Sequence, residues 1–224
     1  MQQERRDEQA HGLLRLARHV AALKFVPRTG WLDRGVNPNR VESVADHSLG
    51  VALLAWFSAL ERQAEGATLD PTHVVMLALL HDLAEAETGD MPPYEPTALP
   101  GLGDPEGRRT FLEARHVRDD ASSANKRESE YAAIQRLLAD LPAATRSTVG
   151  ELWEELQRGV SPEARFVKQV DRLETFLQSR HYLRDDLDLP MGSFQVEVVE
   201  TIEDPLLGAI RDAALAGTTR TDAD

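Results

Sequence analysis

The chain has 224 residues, enough for one domain with a sizeable core or one domain carrying an extension. Its 25 Lys and Arg against 38 Asp and Glu give a net charge of -13, which argues against a general binder of nucleic-acid polymers while leaving room for a small anion held by local cations. It has no cysteine, so disulfides and thiolate metal sites are excluded and any metal must sit on nitrogen and oxygen.

The first residues, Met1 to Glu8, lack a signal-like apolar region, and no run approaches the roughly 18 apolar residues of a membrane span. A soluble, cytoplasmic protein without a membrane partner is expected. Apolar residues at Leu13, Leu16, Val20 and Leu23 predict a first helix from Glu8 to Lys24 that packs on the core and ends before Pro27. Phe25 to Asn39 is rich in Pro, Gly and Asn and reads as a loop carrying Arg28, Trp31 and Arg34. Such residues can form a base-stacking surface and a phosphate clamp. Composition alone favours Trp31 as a plug at the core edge, with the arginines facing water.

Ser43-Val-Ala-Asp46 has the form of a capping box, opening an apolar run from His47 to Leu60 and making His47 a core histidine by default. Asp70 caps the next helix, with Pro71 at its first position. From Val74 to Leu80 every side chain is apolar, so this helix is expected to be buried on all sides. His81 and Asp82 then arrive together. A lone carboxylate in such surroundings faces a desolvation cost of several kcal/mol and needs a fixed positive partner, of which a divalent metal is one. Glu85 is placed one turn beyond His81 on the same face, Thr88-Gly89 breaks the helix, and Asp90 enters a loop.

Pro92, Pro93, Pro96, Pro100 and Pro105 make the following stretch irregular, and about 96–125 reads as a charged, Pro-rich insertion, partly mobile and lying on the surface. Three helices are predicted beyond it, about Lys126 to Ala139, Ala144 to Gln157 and Pro162 to Tyr182. Asp171 borders the core stripe of the third, where an acid suggests either a capping contact to another helix or a metal ligand. A C-terminal extension at about 190–217 holds a stretch from Phe194 to Ile202 compatible with strand or helix, and a last helix opened by Asp204-Pro205. Residues 218–224 are expected to be disordered. The elements suit a single all-α domain with its core at about 8–183.

Taken together, His47, His81, Asp82 and Asp171 place two imidazoles and two carboxylates on three predicted helices. Such a set suits a divalent ion such as Mn, Co, Fe, Zn or Mg and leaves positions open for water and substrate. This ordered series resembles the signature of the HD-domain metal-dependent phosphohydrolases. The stretches Leu23 to Trp31, Glu42 to Ser48, His81 to Asp90, Glu151 to Glu155 and Phe166 to Asp171 look like that family's 5'-deoxynucleotidase branch, over about residues 20 to 180. The segment from about Pro96 to Asn125 and the C-terminal tail depart from it.

The resemblance implies an all-helical enzyme, a homodimer, that removes phosphate from deoxyribonucleoside 5'-monophosphates. It implies His47, His81, Asp82 and Asp171 as metal ligands, and Glu85 and Asp90 as acids that act on the attacking water or the leaving oxygen, or that hold a second ion. It further implies Arg28 and Trp31 beside phosphate and sugar, where a bulky wall disfavours a 2'-hydroxyl, and Lys168 as a phosphate contact. Rival readings are a nucleoside triphosphohydrolase or guanosine tetraphosphate hydrolase of the same fold, a binuclear enzyme, and a non-catalytic helical interaction module. The binuclear reading wants further histidines between Asp82 and Asp171, where only His116 stands.

Overall fold

The computed structural model describes residues 1–217, so the tail expected to be disordered, 218–224, lies outside the described residues. Eleven α-helices are formed among the described residues: α1 (Gln2–Ala22), α2 (Thr29–Asp33), α3 (Val44–Ala64), α4 (Pro71–Leu80), α5 (Glu85–Thr88), α6 (Pro105–Glu113), α7 (Asp120–Leu138), α8 (Ala143–Arg158), α9 (Pro162–Asp185), α10 (Gly192–Thr201) and α11 (Pro205–Gly217). The fold is all-α, and the extended pairing present among these residues is one isolated bridge between Pro27 and Ser43.

Local chemistry sets the helices that matter for the site. The Asp46 backbone N–H donates to Ser43 Oγ at 3.2 Å and the Ser43 N–H donates to Asp46 Oδ2 at 2.8 Å, the reciprocal box predicted for the start of α3. Asp70 Oδ1 accepts from the backbone N–H groups of Thr72 and His73 at 2.8 and 3.2 Å, which together with Pro71 fixes where α4 begins. Gly89, at φ +71, ends α5 in a left-handed conformation that a side chain would strain, and so turns Asp90 back toward α2.

The main core lies where α3, α4 and α9 meet, around Val51, Ala55, Val74, Leu77, Val170 and Phe176. Full burial of such side chains contributes roughly 1.5–3 kcal/mol each, so this seam is stiff enough to fix residues at its edge. A second cluster of Leu23, Val44, Ile134, Leu137 and Trp153 joins α1, α7 and α8 to the start of α3. A third, of Trp31, Val36, Tyr182 and Met191, anchors the α2 loop on α9.

Several expectations need correction. α1 starts at Gln2, and only half of the proposed stripe packs: Leu16 and Leu23 join the second cluster, Leu13 and Val20 are exposed, and Gly12 meets the α7–α8 turn so closely that a Cβ would stand 2.3 Å from the Asp140 carbonyl oxygen. α4 is not buried on all sides, because Met76 and Leu79 are 40% and 57% exposed. The helix predicted from Lys126 begins at Asp120, where the Asp119 side chain accepts from the Ser122 N–H at 2.7 Å. The segment expected to lie on the surface docks instead: α6 buries Leu112, and Glu113 Oε2 accepts from the Gly192 N–H at 2.7 Å. Of the two forms left open for Phe194 to Ile202, residues 194–201 take the helical one within α10, and Ile202 caps it.

Arg34 does not face water. It is buried and donates to Pro190 O, Gly30 O, Leu112 O and Ser193 Oγ at 3.1, 2.9, 3.3 and 2.8 Å, tying the α2 loop to α6 and the C-terminal extension. Arginine's forked donors meet several fixed carbonyls at once, which composition alone does not reveal.

Candidate metal centre

The first turn of α3 carries His47, the C-terminal end of α4 delivers His81 and Asp82, and the middle of α9 supplies Asp171. Helix packing therefore brings together residues far apart in sequence. His47 Nε2 lies 3.1 Å from Asp171 Oδ1, 3.3 Å from His81 Nε2 and 3.7 Å from Asp82 Oδ2, and His81 Nε2 lies 3.1 Å from Asp82 Oδ2. The far side of each imidazole is already engaged. His81 Nδ1 is 2.7 Å from the Ala78 carbonyl, which can only accept, and His47 Nδ1 is 2.6 Å from Glu174 Oε2.

These partners assign the ring protons to Nδ1 and turn both Nε2 lone pairs inward, where two carboxylates also point. A proton can bridge one imidazole and one carboxylate, but not all four acceptors at once. Donors about 2.1 Å from a central ion stand about 3.0–3.4 Å apart in octahedral or tetrahedral shells, close to the observed spacings. The residues thus fit a divalent metal, and His47, His81 and Asp171 form a set with mutually close ligand atoms. In the metal-free chain the cluster holds protons instead. Burial lowers the His81 pKa, but the Asp82 carboxylate outweighs it and lifts the value to about 9. Burial pushes Asp82 and Asp171 up, and the two histidines more than reverse that, holding both carboxylates below the usual range.

Arg28 crosses the mouth of this cluster. Its guanidinium donates to Asp82 Oδ2 at 3.3 Å and to Thr175 Oγ1 at 3.4 Å, and it pairs with Asp90 Oδ1 at 3.8 Å. Burial would lower its pKa, but Asp90 and Asp82 raise it above the ordinary value, so the charge is permanent. Asp90 in turn accepts from the Thr29 N–H at 2.5 Å, clamping the loop that presents Arg28.

Glu85 is not on a continuation of α4, since the chain turns at residues 81–84 before α5 begins. It is nonetheless buried behind the cluster, with Oε1 3.9 Å from Lys126 Nζ and Oε2 without a hydrogen-bond partner. Burial, with Asp82 and then Asp90, pushes its carboxyl well above the usual range. Neither Glu85 nor Asp90 joins a group of donors close enough together to hold a second ion among the described residues.

Trp31 is 1% exposed, its indole N–H donating to Glu42 Oε1 at 2.7 Å and its rings packed on Tyr182 and Phe194. It is a core plug whose edge borders a small cavity beyond Arg28, not an open stacking surface. Lys168 lines a cleft of about 450 Å³ whose floor is His81, Asp82 and Asp171. Its Nζ donates to Gln157 O at 2.8 Å, and burial, then Arg172 and Arg127, lower its pKa.

Sequence reasoning missed Glu174 and the cations Arg118, Lys126, Arg127 and Arg172 that share the cleft with Lys168. Glu174 had a signal, because it lies three residues beyond Asp171 on one helix face. Arg118, Lys126 and Arg127 had none, because their segment reads as a solvated charge run.

Three packed helices that converge two imidazoles and two carboxylates beside a cation-lined cleft define an all-helical protein with a set of nitrogen and oxygen donors that could hold a metal ion. The chain belongs to the HD-domain family, whose model matches residues 20–202. It is 33% identical over 215 residues to the mouse protein named 5'-deoxynucleotidase HDDC2, covering 92% of this chain and 91% of that one. The fission yeast 5'-deoxynucleotidase hdd1 is 26% identical over 165 residues, 74% of this chain and 69% of its own. Among solved structures, a conserved hypothetical protein from Pyrococcus furiosus superposes with a TM-score of 0.65 at 26% identity, over 90% of this chain and 98% of that one.

Proposed function

We propose that the protein is a metal-dependent phosphomonoesterase that hydrolyses deoxyribonucleoside 5'-monophosphates to deoxynucleoside and phosphate. The observation that carries this reading is the close approach of four metal-type donors, three of which, His81, Asp82 and Asp171, line a cation-rich cleft. The name 5'-deoxynucleotidase, borne by relatives similar over nearly the whole chain, supplies the substrate class.

His47, His81, Asp82 and Asp171 hold one divalent ion, of Mn, Co, Fe, Zn or Mg. When bound, such an ion polarises a phosphoryl oxygen and lowers the pKa of a bound water from ~15.7 toward ~7. Arg28, fixed by Asp82 and Asp90, offers the phosphate a planar guanidinium that stays charged at any working pH. Lys168, with Arg127 and Arg172, adds positive charge to the cleft that His81, Asp82 and Asp171 line. Glu85, buried and carrying an unpaired oxygen, exchanges a proton with the attacking water or the leaving 5'-oxygen. Asp90 keeps Arg28 in place through Thr29. Trp31 backs the same loop from the core. Asp90 is matched to Arg28, and neither it nor Glu85 belongs to a close set of donors among the described residues, so no second ion is assigned.

The proposal includes a cytoplasmic homodimer. Leu49, Leu53, Trp56 and Leu60 fall at i, i+4, i+7 and i+11 on the outer face of α3, each at least 40% exposed, beside Met76 and Leu79 of α4. A contiguous apolar stripe of this kind is the surface a second copy covers.

The test is a panel of deoxy- and ribonucleoside mono- and triphosphates assayed with each metal. Release of inorganic phosphate from the deoxy monophosphates supports the reading. Release of pyrophosphate or triphosphate in preference transfers the protein to the triphosphohydrolase or guanosine tetraphosphate hydrolase reading.

A further inference from the structure

His47 is fully buried, and of the four donors it is the one whose far ring nitrogen meets a carboxylate, Glu174, at 2.6 Å. Glu174 sits three residues beyond Asp171 on α9, and Gly50 sits three beyond His47 on α3, so the two pairs face each other across the α3–α9 seam. The approach is close. A Cβ at Gly50 would stand 2.6 Å from Glu174 Oε1 and 3.2 Å from its Cδ. Behind them, Glu42 brings a carboxylate oxygen within 4.8 Å of both His47 and Glu174, and it is occupied by the Trp31 indole N–H at 2.7 Å.

We propose that Glu174 is a positioning residue for the metal: by accepting the Nδ1–H of His47 it fixes the tautomer and ring angle that aim Nε2 at the ion, and Gly50 provides the space that lets it do so. This rests on the metal-centre reading above. His81 gets the same service from a backbone carbonyl, which no substitution removes, so Glu174 is the part of the outer shell open to test by mutation. The carboxylate also raises the ligand strength of the imidazole it holds. Glu42 and Trp31 close the network on its other side, linking the α2 loop to the same ligand.

The experiment measures the dissociation constant of Mn²⁺ or Co²⁺ for the full chain after chelator treatment, with the melting temperature of the metal-free form as a control. Glu174→Ala is expected to weaken binding about 10–100-fold, and Glu174→Gln, whose amide oxygen still accepts from Nδ1–H, to recover part of that loss. Gly50→Ala separates positioning from folding. It adds a strong helix former and displaces only the end of one side chain, so the metal-free protein should melt at or above wild type while metal affinity falls about tenfold or more. Should Glu174→Ala fail to fold, the other two variants decide. Wild-type affinity in Glu174→Gln and Gly50→Ala overturns the role of Glu174. A wild-type chain that binds no divalent ion overturns the metal reading itself.

Discussion

The Glu85 side chain offers the sharpest separation of metal binding from chemistry. It is 3% exposed, one oxygen has no partner, and the other is 3.9 Å from Lys126, outside hydrogen-bond range. In the metal-free protein, burial and the neighbouring Asp82 and Asp90 hold its pKa well above the usual value. Between its unfolded and folded pKa the native state binds the extra proton, so this group's stabilising contribution is complete below the unfolded value and is lost as pH rises through the folded one. Glu85→Gln keeps the shape and removes the titration. The metal-free variant should therefore melt above wild type at pH 8 and close to it at pH 4, while its metal affinity stays within a few-fold of wild type. Loss of a positioned proton-transfer group costs about 10²–10⁴ in rate, or about 2.7–5.5 kcal/mol of barrier. Phosphate release under saturating metal should fall by that factor. Full activity in Glu85→Gln, or loss of metal with it, refutes the assignment.

Asp82→Ala removes a ligand and one partner of the buried Arg28, so calorimetric titration should show metal affinity lost and phosphate release should not return with excess metal. Arg34→Met leaves the Pro190, Gly30 and Leu112 carbonyls without their donor, and at about 1–2 kcal/mol each the loss should reach about 3–6 kcal/mol in urea unfolding. A change under 1 kcal/mol would refute that role. Trp56→Glu, in the centre of the exposed α3 stripe, should convert a dimer to monomer by light scattering while the metal-free melting temperature changes little. An unchanged mass would place the interface elsewhere.

The parts of the site that the sequence announced were those with local grammar. The Ser43–Asp46 box and the Asp70–Pro71 start fixed α3 and α4, and His81-Asp82 stood out as charge at the end of an apolar run. Asp171 became a candidate ligand only through the company it kept. What stayed hidden depends on tertiary neighbours. Arg34 is buried because carbonyls from three separate segments converge on it and Ser193 adds a fourth acceptor. Arg118, Lys126 and Arg127 belong to a stretch whose polarity looks solvated until α7 swings it over the cleft. The exposed faces of α3 and α4 misled for the converse reason, because apolar residues left on the surface read in sequence like ones that meet the core.

Metal-dependent deoxynucleotidase activity is measured by following inorganic phosphate from the chelator-treated chain, with and without added Mn²⁺ or Co²⁺, on matched deoxy and ribo 5'-monophosphates. The account predicts no turnover without metal, and metal-restored release that favours the deoxy substrates and disappears in Asp82→Ala. Equal turnover in Asp82→Ala, or no release from any monophosphate with metal present, would contradict it.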